Sequence, residues 1–145
     1  MKKFLVVLLT FVTLCPAWAR CKDPAEAAQQ FLRAVAAGRH REAWSLMSTH
    51  SQQFCVVQVA NQRHVSLSRA EAMLGRDDPS LRTWWEGVQK TSRAQDWAGK
   101  QFTSGNIYGS KGTAFIGGLT GHMEFTCYKG PDGWKFDYPE TYHLK

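Results

Sequence analysis

Metal-binding and catalytic signatures are missing from this sequence of 145 residues. Its five histidines, His40, His50, His64, His122 and His143, show neither H-x-x-x-H nor H-E-x-x-H spacing, and no two cysteines stand two to four residues apart. The known zinc spacings are therefore excluded, and each histidine reads as structural or surface. No cofactor is implied, no metal ligand is assigned, and no residue is assigned as catalytic. Long apolar runs are lacking too: Phe4 to Cys15 is too short to span a bilayer. No Pro, Gly or Ser tract divides the chain, so no linker separates two domains.

Acidic residues are the minority charge, twelve against eighteen lysines and arginines, for a net +6. A basic balance suits nucleic acid, but the arginines are scattered rather than clustered, and the first nineteen residues direct the chain away from it. Lys2 and Lys3, the apolar run, and the small-residue pattern Ala17, Trp18, Ala19 make an export signal with the cut after Ala19. The expected destination is the periplasm, with secretion as the alternative. Cleavage leaves sixteen basic residues against twelve acidic ones, a net +4. Acylation at a cysteine would want a small residue before it, whereas Leu14 precedes Cys15 and Arg20 precedes Cys21. A stable membrane anchor is therefore not expected.

Residues 20–145 suffice for one domain with its own core. Three cysteines remain, Cys21, Cys55 and Cys127, and an oxidising compartment would pair two of them. Cys55 with Cys127 is the favoured pair, because both sit in apolar segments while Cys21 lies near a terminus. A Cys–His nucleophile built on either thiol would be consumed by that bridge.

The mature chain opens on helix-start chemistry: Asp23 as N-cap, Pro24 in the first position, Glu26 three residues after the cap. Ala27, Ala28, Phe31, Leu32 and Val35 recur at helical spacing up to Gly38, and Ala43, Trp44, Leu46 and Met47 give a second, shorter face. "QQFCVVQVANQ" suits helix or strand by period and is read as helix. Ser68 with Glu71 forms a second capping box in a segment ending at Gly75, and Pro79 starts a helix through Leu81, Trp84, Trp85 and Val88.

From Gln101 the texture becomes short strands between glycines. Met123, Phe125 and Cys127 alternate with polar neighbours, as do Trp134, Phe136 and Tyr138, which is the pattern of antiparallel strands with one buried face. That alternation sends Glu124 and Asp137 to solvent. "GPDG" reads as a hairpin turn, and Gly117 with Gly118 as a bulge or bend. The class is α+β, with N-terminal helices packed in the concavity of a curved antiparallel sheet.

On "DPAEAAQQFLRAVAAGRHREAWSLMS" and "GWKFDY", about a third of the mature chain, the sequence resembles small exported members of the nuclear transport factor 2-like superfamily, the cystatin-like cone fold. The resemblance implies a helical pair held by a bent sheet, a pocket between them, and frequent dimerisation through the sheet. The superfamily spans isomerases, cyclases, dehydratases, secretion-system components, immunity proteins and non-enzymatic binders, so it does not decide function.

Five tryptophans survive cleavage. Trp44 and Trp134 fall in apolar rows, while adjacent Trp84 and Trp85 are not expected to face one core from one helix. The pair is the expected ligand- or partner-binding surface. The function expected is non-catalytic: a periplasmic protein binding a protein partner or a small apolar ligand through a cleft and aromatic rim, with a homodimer possible. One form of it is an immunity protein against an envelope-acting toxin. The alternatives are a component of an envelope secretion machine, or a small pocket enzyme of isomerase or dehydratase type. The enzyme would need a buried carboxylate beside a tyrosine; Asp96, Tyr108, Glu124 and Asp137 are among the residues able to supply them.

Overall fold

A computed structural model describes residues 20–118 and 121–145. The segment expected to be an export signal, with its expected cleavage site and Cys15, lies outside the described residues. The fold is α+β: helices first, then a curved four-stranded antiparallel sheet in the order β1-β2-β3-β4. Among the described residues no helix is long and apolar enough to cross a membrane.

Helix α1 (Pro24–Ala36) begins as its sequence dictates. Asp23 accepts a hydrogen bond from the Glu26 amide at 2.8 Å, and Pro24 fills the first turn, where an amide hydrogen would have no partner. The helix lies against all four strands and buries Ala27, Ala28, Phe31, Leu32 and Val35. After a tight turn, α2 (His40–Leu46) packs back on it. Helix α3 (Thr49–Arg63) resolves the ambiguous run as helix: Ser51, Cys55 and Val59 are buried at four-residue spacing, while Val57 stands out in solvent.

Helix α4 (Leu67–Gly75) starts earlier than the Ser68 box predicts. Ser66 holds the extended backbone of a cap and accepts from the Arg69 amide at 3.2 Å. A single 3-10 turn, Pro79–Leu81, leads into α5 (Arg82–Ser92), and α6 (Ala94–Trp97) follows.

Strands β1 (Thr103–Tyr108), β2 (Lys111–Gly118), β3 (Gly121–Gly130) and β4 (Gly133–Phe136) form a meander. Of the bulge or bend expected at Gly117–Gly118, the bulge is absent: both residues keep regular register with β3, and the irregularity falls in β1 between Ser104 and Ile107. The β3–β4 turn depends on Gly133, whose φ is +100° and whose Cβ, if present, would stand 2.6 Å from the Cys21 carbonyl. Phe31 stacks on Phe136 at 4.2 Å between ring centroids, joining α1 to β4 at the centre of the core. Beyond Phe136 the strand stops, and a last helix, α7 (Tyr138–Thr141), folds beside β3.

Candidate functional site

The departure from strand to helix at Phe136 decides where the chemistry lies. Asp137 is not the outward residue that alternation predicts; it is fully buried. The reason is local. Asp137, Pro139 and Glu140 repeat the helix-start pattern of Asp23, Pro24 and Glu26, and Asp137 Oδ1 accepts from the Glu140 amide at 3.0 Å to cap α7. That signal was present in the sequence, and extending the strand alternation past Phe136 hid it.

The other oxygen, Oδ2, faces the first turn of α3. Ser48 donates its hydroxyl proton to it at 2.7 Å while accepting from the Ser51 amide at 3.0 Å as the cap of α3. His50 brings Nδ1 to the same oxygen at 3.0 Å. The two ends of this contact differ sharply, for the Asp137 side chain is 0% exposed and the His50 side chain 64%. A carboxylate on Nδ1 fixes the ring and its tautomer and leaves Nε2 as the nitrogen not bonded to Asp137, on a side chain that is mostly exposed. Ser48 is not a nucleophile here, since its proton is directed at Asp137 and not at the imidazole.

His50 lines a pocket of about 470 Å³. Ser48 and Thr49 flank it from the α3 side; Tyr128, Lys129 and Gly130 come from the end of β3, Lys135 from β4, and Glu140 from α7. Tyr128 donates to Glu140 Oε2 at 2.5 Å, and Lys111 donates to Oε1. Burial pushes the Glu140 carboxyl up, but hydrogen bonds from Lys111 and Tyr128, with the charges of Lys111 and His50, outweigh it and hold the group below the usual glutamate range. The bond to Glu140, aided by burial, pushes the Tyr128 phenol up, so it stays a donor. The hydrogen bond that Lys111 itself makes to Glu140 raises the Lys111 ammonium. Lys135 reaches across to the Ser45 carbonyl at 2.9 Å. A second concavity of about 450 Å³ adjoins on the far side of His50 and Glu140, with Phe54, Pro139, His143 and Leu144 in its walls.

The residues expected at the site lie elsewhere. Trp84 and Trp85 are 9% and 1% exposed. Adjacent helical positions lie about 100° apart, and Trp84, Val88, Ser92 and Trp85 share a single buried face of about that width, so both rings are covered by one core. Trp85 stacks on His40 at 4.8 Å, and Trp84 meets it edge-on at 4.9 Å. Trp84 also borders a shallow groove with Gln58, Gln62 and Thr83. They form no exposed aromatic rim. Glu124 is exposed, as alternation predicts, and Asp96 pairs with Arg93 in solvent at 2.9 Å.

The Cys55–Cys127 bridge is not formed, and no disulfide joins any of the described cysteines. Cys127 sits opposite Phe136 on one flank of β4 and donates to the Pro24 carbonyl at 3.5 Å. Cys55 lies on the other flank, 3.8 Å from the sulfur of Met47, which itself bridges to Phe136. The strand separates them. Burial raises both thiols well above the ordinary range and pushes Cys21 up to about 11, with the Glu26 charge adding to it. Among the described residues no group of three His, Cys, Asp or Glu gathers as a metal ion would require. No protein-family model, curated protein or solved structure matched the chain.

Proposed function

We propose that this is an exported, periplasmic domain of the nuclear transport factor 2-like type that binds a small ligand in the pocket at His50. The observation that carries the reading is the contact between a fully buried carboxylate, Asp137, and an imidazole that remains mostly in solvent at the pocket wall. Burying a carboxylate is costly unless it is well bonded. Three donors meet Asp137, and one of them is the ring presented to the pocket. Trp84 and Trp85, the rim expected to serve a ligand or a protein partner alike, are both buried, so it is the cleft at His50 that supports the reading.

Native mass spectrometry of the mature protein drawn gently from the periplasm tests this, with His50→Ala beside it. A small molecule retained by the wild type and lost from the variant supports the reading. A bare wild type, or equal retention by both, overturns it.

The same contact favours a second reading, in which His50 moves a proton on the bound molecule while Asp137 fixes the ring. Here the buried carboxylate and the carboxylate beside a tyrosine are different residues, Asp137 and Glu140. Deuterium taken from heavy water into the recovered ligand by the wild type, and not by His50→Gln, would establish it. A ligand recovered without deuterium leaves binding as the function.

A further inference from the structure

We propose that the ligand is an amphiphilic acid: a carboxylate or phosphate head in the pocket beside Lys129 and Lys135, and an apolar tail in the adjoining concavity against Phe54, Pro139 and Leu144. This rests on the small-ligand reading above and assigns its chemical class.

The charge argument begins with the two carboxylates. Asp137 has both oxygens engaged, Oδ1 by the Glu140 amide and Oδ2 by Ser48 and His50. Glu140 has both engaged too, Oε1 by Lys111 and Oε2 by Tyr128. An acid entering the pocket therefore meets no bare carboxylate oxygen. The pocket holds two lysines on its wall, Lys129 exposed and Lys135 half-buried with its ammonium on the Ser45 carbonyl, and the imidazole of His50. Its wall also includes the first turn of α3, the positive end of a fifteen-residue helix, which adds potential of the same sign. Lys111 offsets the charge of Glu140, and Lys129 and Lys135 outnumber the remaining carboxylate, Asp137, so the field favours an anion over a neutral molecule or a cation.

The tail follows from what lies next door. His50 and Glu140 line both concavities, so a molecule whose head sits by the lysines can extend past that pair into the second space. There Pro139 is buried and Phe54 and Leu144 are half-buried, giving an apolar wall with His143 and Lys145 exposed at its edge. A small polar anion would leave that wall in water. An acid with a hydrocarbon body would cover it.

The test is calorimetric titration of the purified protein with octanoate, octyl phosphate, octanamide and acetate, each below its micelle concentration. The expected result is that at least one eight-carbon acid binds at least tenfold more tightly than octanamide and than acetate. Added salt should weaken that acid, and Lys129→Gln should weaken it severalfold while leaving octanamide unchanged. Whichever eight-carbon acid binds tighter names the head group. Octanamide binding as tightly as both acids overturns the acid assignment and leaves the small-ligand reading standing. Acetate matching octanoate overturns the tail. Binding by none of the four overturns the proposal, while the pocket reading stands or falls by the native mass spectrometry of the wild type and His50→Ala.

Discussion

Asp137 is the residue on which most of the local structure converges. It caps α7, ties the α3 cap Ser48 to that helix, and holds His50, all from a fully buried position. Asp137→Asn keeps the shape but replaces one acceptor oxygen with donors, so at least one of the three incoming hydrogens loses its partner. An unsatisfied buried group costs about 1–3 kcal/mol, and more where charge is involved. Urea unfolding of Asp137→Asn is expected to show a loss of about 2–3 kcal/mol, and a loss below about 0.5 kcal/mol would contradict this account. His50→Ala, at an exposed ring, should cost under about 1 kcal/mol. The cysteines make a second residue-scale test. If Cys21, Cys55 and Cys127 are all thiols, a chain beginning at Arg20 will titrate three equivalents with a thiol reagent after denaturation. Burial and raised pKa values should leave native labelling very slow. One equivalent after denaturation would mean that two of the three have paired.

At the scale of elements, two glycines respond oppositely to the same substitution. Gly87 lies inside α5 with open space where a Cβ would go, so Gly87→Ala is expected to stabilise by about 0.5–1 kcal/mol. Gly112 on β2 is covered by the side chains of Pro24 and Trp134: a Cβ there would stand 2.7 Å from Pro24 Cγ and 2.9 Å from the Trp134 ring. Gly112→Ala is therefore expected to destabilise by about 1–3 kcal/mol through overpacking. Thermal melts of the two variants should move in opposite directions, and a shift of both in one direction would refute the packing described. Much of this level was legible in the sequence. α1 and the strand meander were readable because a caps-and-period pattern and a two-residue alternation are local signals. The α3 run was not settled by period, because Cys55, Val56 and Val57 are consecutive and apolar although only Cys55 is buried. Asp137 was misplaced for a different reason: alternation is a property of the strand, and the strand ends one residue earlier. The site was less legible still. His50 and Asp137 are 87 positions apart, and nothing local to either announces the other. Trp84 and Trp85 misled because one buried helical face of about 100° is wide enough to take two adjacent positions.

For the whole molecule, the titrating groups set two limits to stability of opposite sign. On the alkaline side, burial holds Cys21 at about 11 and Tyr138 at about 12, both above their unfolded values. The protonated forms are favoured by folding, so their contribution is complete below the unfolded pKa values, about 8.5 and 10, and is lost as pH rises through the folded ones. On the acid side, Glu140 runs the other way. Its folded pKa lies below its unfolded one, so the contacts with Lys111 and Tyr128 contribute fully above about pH 4.3 and fade as pH falls through the folded value. Many carboxylates titrate in that range, so a single acid-unfolding curve does not isolate Glu140, but the difference between the wild type and Glu140→Gln does. The glutamine carries no charge at any pH, and every other acid titrates in both proteins. The stability gap between them, from urea unfolding at pH 7 down to pH 2.5, is expected to stay level from pH 7 to 5. It should then close below pH 4, as the wild-type carboxyl takes up its proton and comes to resemble the amide. A gap that stays level to pH 3, or that widens on acidification, would mean that Lys111 and Tyr128 do not hold Glu140 ionised, and that this carboxylate is open to the pocket.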